Sequence, residues 1–205
     1  MQRDLLLHDA GALATFLRAQ LASLPPYTPL EAERTARIAA VLAPLYAIDS
    51  QPYLLFTRRS SDLPTHKGQI SFPGGSRDPG DASLAETALR EAKEEIGLEP
   101  SRVEILGALS PVYVSVSNFV ITPQVGWLSE GLPPLHSNPA EVAELIQAPV
   151  AALADPAIYH AEIWHHLGAS HLVHFFDFAP YVIWGATAMM LYSLLSLLPP
   201  DGVPF

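Results

Sequence analysis

The chain has 205 residues, 49% of them hydrophobic and 16% charged, with no cysteine and a formal net charge of −10. That apolar content excludes a disordered chain, the missing cysteines exclude disulfides and thiolate metal sites, and the negative charge opposes nucleic acid as a partner. All 11 basic residues fall at or before Arg102, so an anionic ligand is expected to be met in that part of the chain or through a metal.

The length suits one compact α+β unit, with residues 1–36 as a helical segment packing on a main domain at 37–205. Residues 1–24 predict an amphipathic helix closed by Pro25-Pro26. Arg3, Asp4, His8, Asp9 and Arg18 interrupt its leucines, so it is no signal peptide, and the cytoplasm is the expected location. The sequence Thr28-Pro29-Leu30-Glu31 has the form of a capping box and predicts a short second helix from Pro29. Residues 38–48 and 53–58 read as core strands around the turn residues Asp49-Ser50-Gln51-Pro52.

A polar loop at 60–67 leads to a short strand at 69–72, then to Pro73-Gly74-Gly75 and a helix over 83–96. Ser83 is placed to cap its start and Gly97 to end it. Further strands are expected at 103–109, 120–127, 142–146 and 172–176. The run 182–198 has no charged residue and nearly the length of a bilayer span. Its Thr187, Ser193 and Ser196, the missing basic flanks and Pro199-Pro200 nevertheless predict a buried core helix and no membrane partner. His160, His165, His166, His171 and His174 crowd one stretch, but their spacing matches no zinc pattern and suits an ordinary strand.

On the 83–96 helix, Leu84, Ala85, Ala88, Leu89, Ala92 and Ile96 form one apolar arc. Glu95 falls inside that arc and Glu91 at its edge one turn earlier, with Glu94 a little further round. Like charges one turn apart at the border of a core repel each other and resist desolvation, so a compensating cation is expected. Mg²⁺ suits this arrangement, because it takes one or two carboxylates and fills its remaining positions with water and phosphate oxygens. The alternative from the residues alone is a solvated face paired with Arg90 and Lys93.

Arg90-Glu91-Ala92-Lys93-Glu94-Glu95-Ile96-Gly97-Leu98 resembles the second half of the Nudix box, and Gly74-Gly75 stands where that box begins. One extra residue between Gly75 and Arg90 breaks the spacing of the first half and leaves the roles of Asp81 and Glu86 open. The resemblance implies an α/β/α sandwich with a mixed central sheet and the motif helix packed on it. It also implies a hydrolase of phosphoric anhydride bonds that uses Mg²⁺ or Mn²⁺. Glu91, Glu95, Glu94 and the Gly75 carbonyl would be metal ligands and Arg90 an orienting partner. The general base stays open between Glu94 and Glu141.

Leu55-Phe56-Thr57-Arg58-Arg59-Ser60, Gly68 and Phe72-Pro73-Gly74-Gly75 resemble the signature of the coenzyme A pyrophosphatase branch. Asn138-Pro139-Ala140-Glu141-Val142 and Ile183-Trp184-Gly185-Ala186-Thr187 belong to the same likeness. The branch has an arginine where this chain has Pro64, and His66 and Lys67 are the nearest cationic substitutes. Coenzyme A, a small-molecule nucleotide, is the implied substrate, with Arg58, Arg59, Lys67 and Arg77 as the cations available to bind it. Each of the four is equally at home as a solvated surface charge. The readings left open are a Nudix hydrolase of ADP-ribose, NADH or an oxidised nucleoside triphosphate, and a non-catalytic nucleotide-binding module.

Overall fold

The computed structural model describes residues 2–29, 31–62, 66–166 and 169–200. Strands β1 (Arg37–Ile48) and β2 (Gln51–Arg59) form a hairpin. It turns at Asp49 and Ser50, whose φ angles of 48° and 70° are those of the two-residue turn that suits strand twist. The two strands pair only near the turn, Leu45 with Leu54 through Ile48 with Gln51, and then part. Into the fork enters one broken strand, whose first piece β3 (Ile70–Ser71) pairs with β2 and whose second piece β4 (Gly74–Ser76) pairs with β1. At the break Leu42 donates its N–H to the Pro73 carbonyl at 2.8 Å.

Strands β5 (Glu104–Ala108) and β6 (Val112–Val114) run antiparallel to β7 (Phe119–Leu128), which lies parallel to β1 over ten residue pairs. β8 (Val142–Pro149) closes the far side of β2. A second sheet of three strands, β9 (Tyr159–His166), β10 (Ala169–Phe176) and β11 (Ile183–Trp184), stands apart.

The main sheet is mixed and covered on both faces, which is why β1 reads as an apolar run rather than an alternation. Its residues still sort by parity. Ala40, Leu42 and Tyr46, with Leu55 of β2, pack under helix α3 (Leu84–Ile96), whose Ala88, Ala92 and Ile96 are fully buried there. Val41, Ala43 and Leu45, with Leu54 and Phe56, face the opposite layer of α1 (Gln2–His8), α2 (Ala10–Ala22), α4 (Val150–Leu153) and α5 (Gly185–Leu195). That layer contributes Leu6, Leu13, Leu17, Val150, Leu191 and Leu194. The result is the α/β/α sandwich, α+β in class.

Several expectations need correction. The N-terminal helix is two helices, because Asp9 leaves the helical conformation and accepts the Ala12 N–H at 2.9 Å to cap the second. The capping-box segment gives only a 3-10 turn at Glu31–Glu33, since a short helix without an apolar face to bury is not held; Leu30 lies outside the described residues. Strands β4, β6, β9 and β11 were not expected. The apolar run near the C-terminus forms α5, 11 residues long and buried, and among the described residues no helix is long and apolar enough to cross a membrane. Pro64 and the side chain of His166 lie outside the described residues.

Candidate active site

Helix α3 is fixed at both ends. Ser83 Oγ accepts the Glu86 N–H at 3.1 Å, Glu86 Oε2 accepts the Ala82 N–H at 2.7 Å, and Gly97 ends the helix with φ of 70°. Glu86 is therefore the capping acid. Alanines at 88 and 92 let the helix approach β1 closely, and the same face carries Glu95 inward until it is 5% exposed.

Two glycines receive these carboxylates. The Gly74 N–H donates to Glu95 Oε2 at 3.2 Å. Any side chain at 74 would collide with β1, since an added Cβ would lie 2.4 Å from the Ala40 carbonyl oxygen. At Gly75 an added Cβ would fall 2.5 Å from Glu91 Oε2, so the Glu91 carboxylate lies directly against bare backbone.

Arg90 organises the outer side. Its Nε and Nη2 grip the two carboxylate oxygens of Asp81, both at 3.0 Å. Its Nη1 donates to Glu91 at 2.9 Å and to Glu94 at 3.3 Å, and Nη2 also reaches the Ser76 carbonyl at 3.1 Å. Asp81 is buried and further accepts the Thr87 hydroxyl at 2.8 Å and the Asp78 N–H at 2.9 Å. The Arg90 bond, with these two, holds its carboxyl far below the usual carboxylate range.

Glu141 arrives from the loop before β8. The loop is tied down where the Asn138 N–H donates to the Glu95 carbonyl and the Ser60 N–H to the Glu141 carbonyl, both at 2.8 Å; Asn138 Nδ2 donates to Glu141 Oε1 at 3.3 Å. Burial pushes the Glu95 carboxyl up to about 7. The Gly74 bond and the charge of Arg59 oppose this, while Glu141 and Glu91 add to it. Burial also pushes Glu91 up, against its bond to Arg90, with Glu94 and Glu141 adding repulsion.

Glu91, Glu95 and Glu141 thus repel one another in a half-buried place where Glu91 lies against Gly75 and Glu95 against the Gly74 N–H. Among the described residues no trio of His, Cys, Asp or Glu side chains is drawn tightly enough to hold an ion alone. The donor set fits a hard cation that keeps waters and shares ligand oxygens, with Glu91, Glu95 and the Gly75 carbonyl as contributors. Glu94 is 59% exposed on its side chain and leans on Arg90.

The sequence-derived cations do not all meet here. Arg59 acts on Glu95 by its charge, and its Nε is buried without a hydrogen-bond partner among the described residues. Arg58 instead binds Glu144 at 2.8 Å, where the Tyr181 hydroxyl also donates at 2.5 Å. Lys67 is exposed beyond the end of β2, and Arg77 lines a separate hollow beside β4. His160 of β9 stacks on Phe175 with ring centroids 4.8 Å apart, and His174 of β10 meets the Tyr159 hydroxyl at 3.0 Å. Of the two acids whose roles the sequence leaves open, Glu86 caps the helix and Asp81 holds Arg90.

Residues 36–166 match a family model described as the NUDIX domain. The chain is 40% identical over 183 residues to an uncharacterized Nudix hydrolase, NudL, of Photorhabdus laumondii, covering 89% of this chain and 96% of that protein. It is 41% identical over 187 residues to the protein of the same name from Pectobacterium atrosepticum, covering 90% and 94%. Among solved structures, a MutT/nudix family protein from Enterococcus faecalis superposes with a TM-score of 0.49 at 16% identity, covering 90% of this chain and 67% of that one.

Proposed function

The chain belongs to the Nudix hydrolase family, which acts on phosphoric anhydride bonds, and from that premise we propose that it cleaves coenzyme A to 3′,5′-ADP and 4′-phosphopantetheine in the cytoplasm. The observation that carries the hydrolytic reading is that Glu91 lies against the bare backbone of Gly75 and the buried Glu95 accepts the neighbouring Gly74 N–H, with the charge of Glu141 bearing on both carboxylates. The coenzyme A assignment rests on the upstream residues Leu55 to Ser60 and Phe72 to Gly75, which resemble that branch.

Glu91, Glu95 and the Gly75 carbonyl would hold Mg²⁺ or Mn²⁺, and Glu94, which leans on Arg90, would be an additional ligand. When bound, the ion neutralises charge on the pyrophosphate oxygens. Arg90 fixes the orientation of Glu91 and Glu94, with Asp81 and the Ser76 carbonyl holding the guanidinium from behind. Arg59 offers positive charge on the same side of the sheet as Glu95. Water attacks one phosphorus of the pyrophosphate. A P–O bond forms, the bond from that phosphorus to the bridging oxygen breaks, and the water proton passes to a carboxylate. Glu141 is better placed for that proton than Glu94, because its charge bears on both Glu91 and Glu95 while Glu94 is turned out to Arg90.

The test is to incubate the purified protein with coenzyme A and Mg²⁺ or Mn²⁺ and to separate products by chromatography and mass. The two named products are expected. Intact coenzyme A at high enzyme, alongside turnover of ADP-ribose, refutes the substrate and keeps the reaction class.

A further inference from the structure

Beyond the carboxylate cluster, the start of β1 and the end of β4 enclose an open hollow of about 420 Å³ lined by Arg37, Ile38, Ser76, Arg77, Asp78 and Pro79. In a chain of net charge −10 with 11 basic residues, two guanidinium groups border this one depression. Both are held in place. Arg37 lies over the Phe119 ring, Cζ 3.9 Å from its centroid, and Nη2 donates to the Ser117 carbonyl at 3.4 Å. Arg77 Nη2 donates to the Asp81 carbonyl at 3.0 Å. Each guanidinium has five N–H donors, so most remain for a ligand. The carboxylate of Asp78 is the opposing charge, and it inclines toward Arg90 at 3.9 Å.

The hollow is separate from the site already described but adjoins it along β4. Gly75 pairs with Ala40, Ser76 with Ala39, and the Arg77 N–H donates to the Ile38 carbonyl at 2.9 Å. At about 3.4 Å per residue, the backbone of Arg77 lies roughly 7 Å along the strand from Gly75. One nucleotide-sized ligand spans that distance.

We propose that this hollow is a phosphomonoester subsite, in which Arg37 and Arg77 bind a terminal phosphate of the same substrate whose pyrophosphate lies against Gly75. The assignment rests on the pyrophosphohydrolase reading; on coenzyme A the group is the 3′-phosphate. Two prepositioned forks match a dianion with three terminal oxygens, whereas a phosphodiester presents half the charge and fewer acceptors. The subsite accordingly selects nucleotides that carry a further phosphate on the ribose over those that do not.

Calorimetric titration with adenosine 3′,5′-bisphosphate and with AMP tests this on the wild type, Arg37→Gln, Arg77→Gln and the double variant, with unfolding midpoints as a control for folding. The wild type is expected to prefer the bisphosphate at least tenfold, each single variant to lose most of that preference, and the double variant to bind both alike. A wild type that does not distinguish the two, or a double variant that still does, overturns the subsite. Hydrolysis is read separately. Preference without coenzyme A turnover refutes the substrate assignment alone, and turnover without preference refutes the subsite alone.

Discussion

Glu95→Gln separates a charge kept for a cation from an ordinary buried acid. Glu95 is 5% exposed, and burial raises its carboxyl from 4.5 to about 7. A carboxyl raised on folding binds its proton more tightly in the native state. Its contribution to stability is therefore fully present below 4.5 and is lost as pH rises through about 7. The displacement corresponds to about 3 kcal/mol. Glutamine cannot ionise, and its amide oxygen can still accept the Gly74 N–H. Denaturant unfolding in EDTA should therefore find the variant more stable than wild type by about 3 kcal/mol at pH 8, with the gap closing toward pH 4.5. Adding Mn²⁺ should stabilise wild type and leave the variant unmoved, and the variant should lose at least about 100-fold in turnover. A variant less stable than wild type at pH 8 without metal, or a gap independent of pH, refutes the reasoning.

The two glycines should fail differently. Gly75→Ala displaces only the flexible end of Glu91, so its unfolding midpoint should stay near wild type while turnover falls roughly 100-fold, whereas Gly74→Ala strikes the β1 backbone and should cost about 1–3 kcal/mol of stability. Asp81→Asn should lower both stability and activity at pH 7. Because the folded carboxyl titrates below its ordinary 3.8, its stabilisation is present above that value and lost beneath it, so the stability gap should narrow in acid unfolding below pH 3.8. Glu141→Gln should reduce kcat by about 100-fold or more in steady-state assays and Glu94→Gln by much less; the reverse order would move the base to Glu94.

What the sequence disclosed followed from signals carried by single elements. Helix α3 was legible because its apolar arc, its Ser83 cap and its Gly97 stop all agree, and the inward place of Glu95 follows from that arc. The β1–β2 hairpin was legible because the turn residues Asp49-Ser50-Gln51-Pro52 separate two apolar runs. The N-terminal helix was read as one because Asp9 is no stronger a breaker on paper than Asp4, and its capping bond depends on the chain bending there. Strand β4 was hidden because Gly74 and Gly75 have little strand preference of their own; the fork between β1 and β2 makes them a strand.

Asp81 was obscured by the one-residue insertion. Counting forward from Gly75 instead of back from Arg90 finds it, since it stands six residues on, where the family box has its first acid. The hollow between Arg37 and Arg77 joins positions 40 residues apart, and only the pairing of β1 with β4 brings them together.

The central claim is that Glu91 and Glu95 hold a divalent ion beside Gly75. Titrating Mn²⁺ into the protein and reading the free ion by electron paramagnetic resonance tests it without any substrate. Wild type should remove Mn²⁺ from solution, and Glu91→Gln and Glu95→Gln should each weaken that uptake at least tenfold. Uptake that is the same in all three proteins would contradict the account.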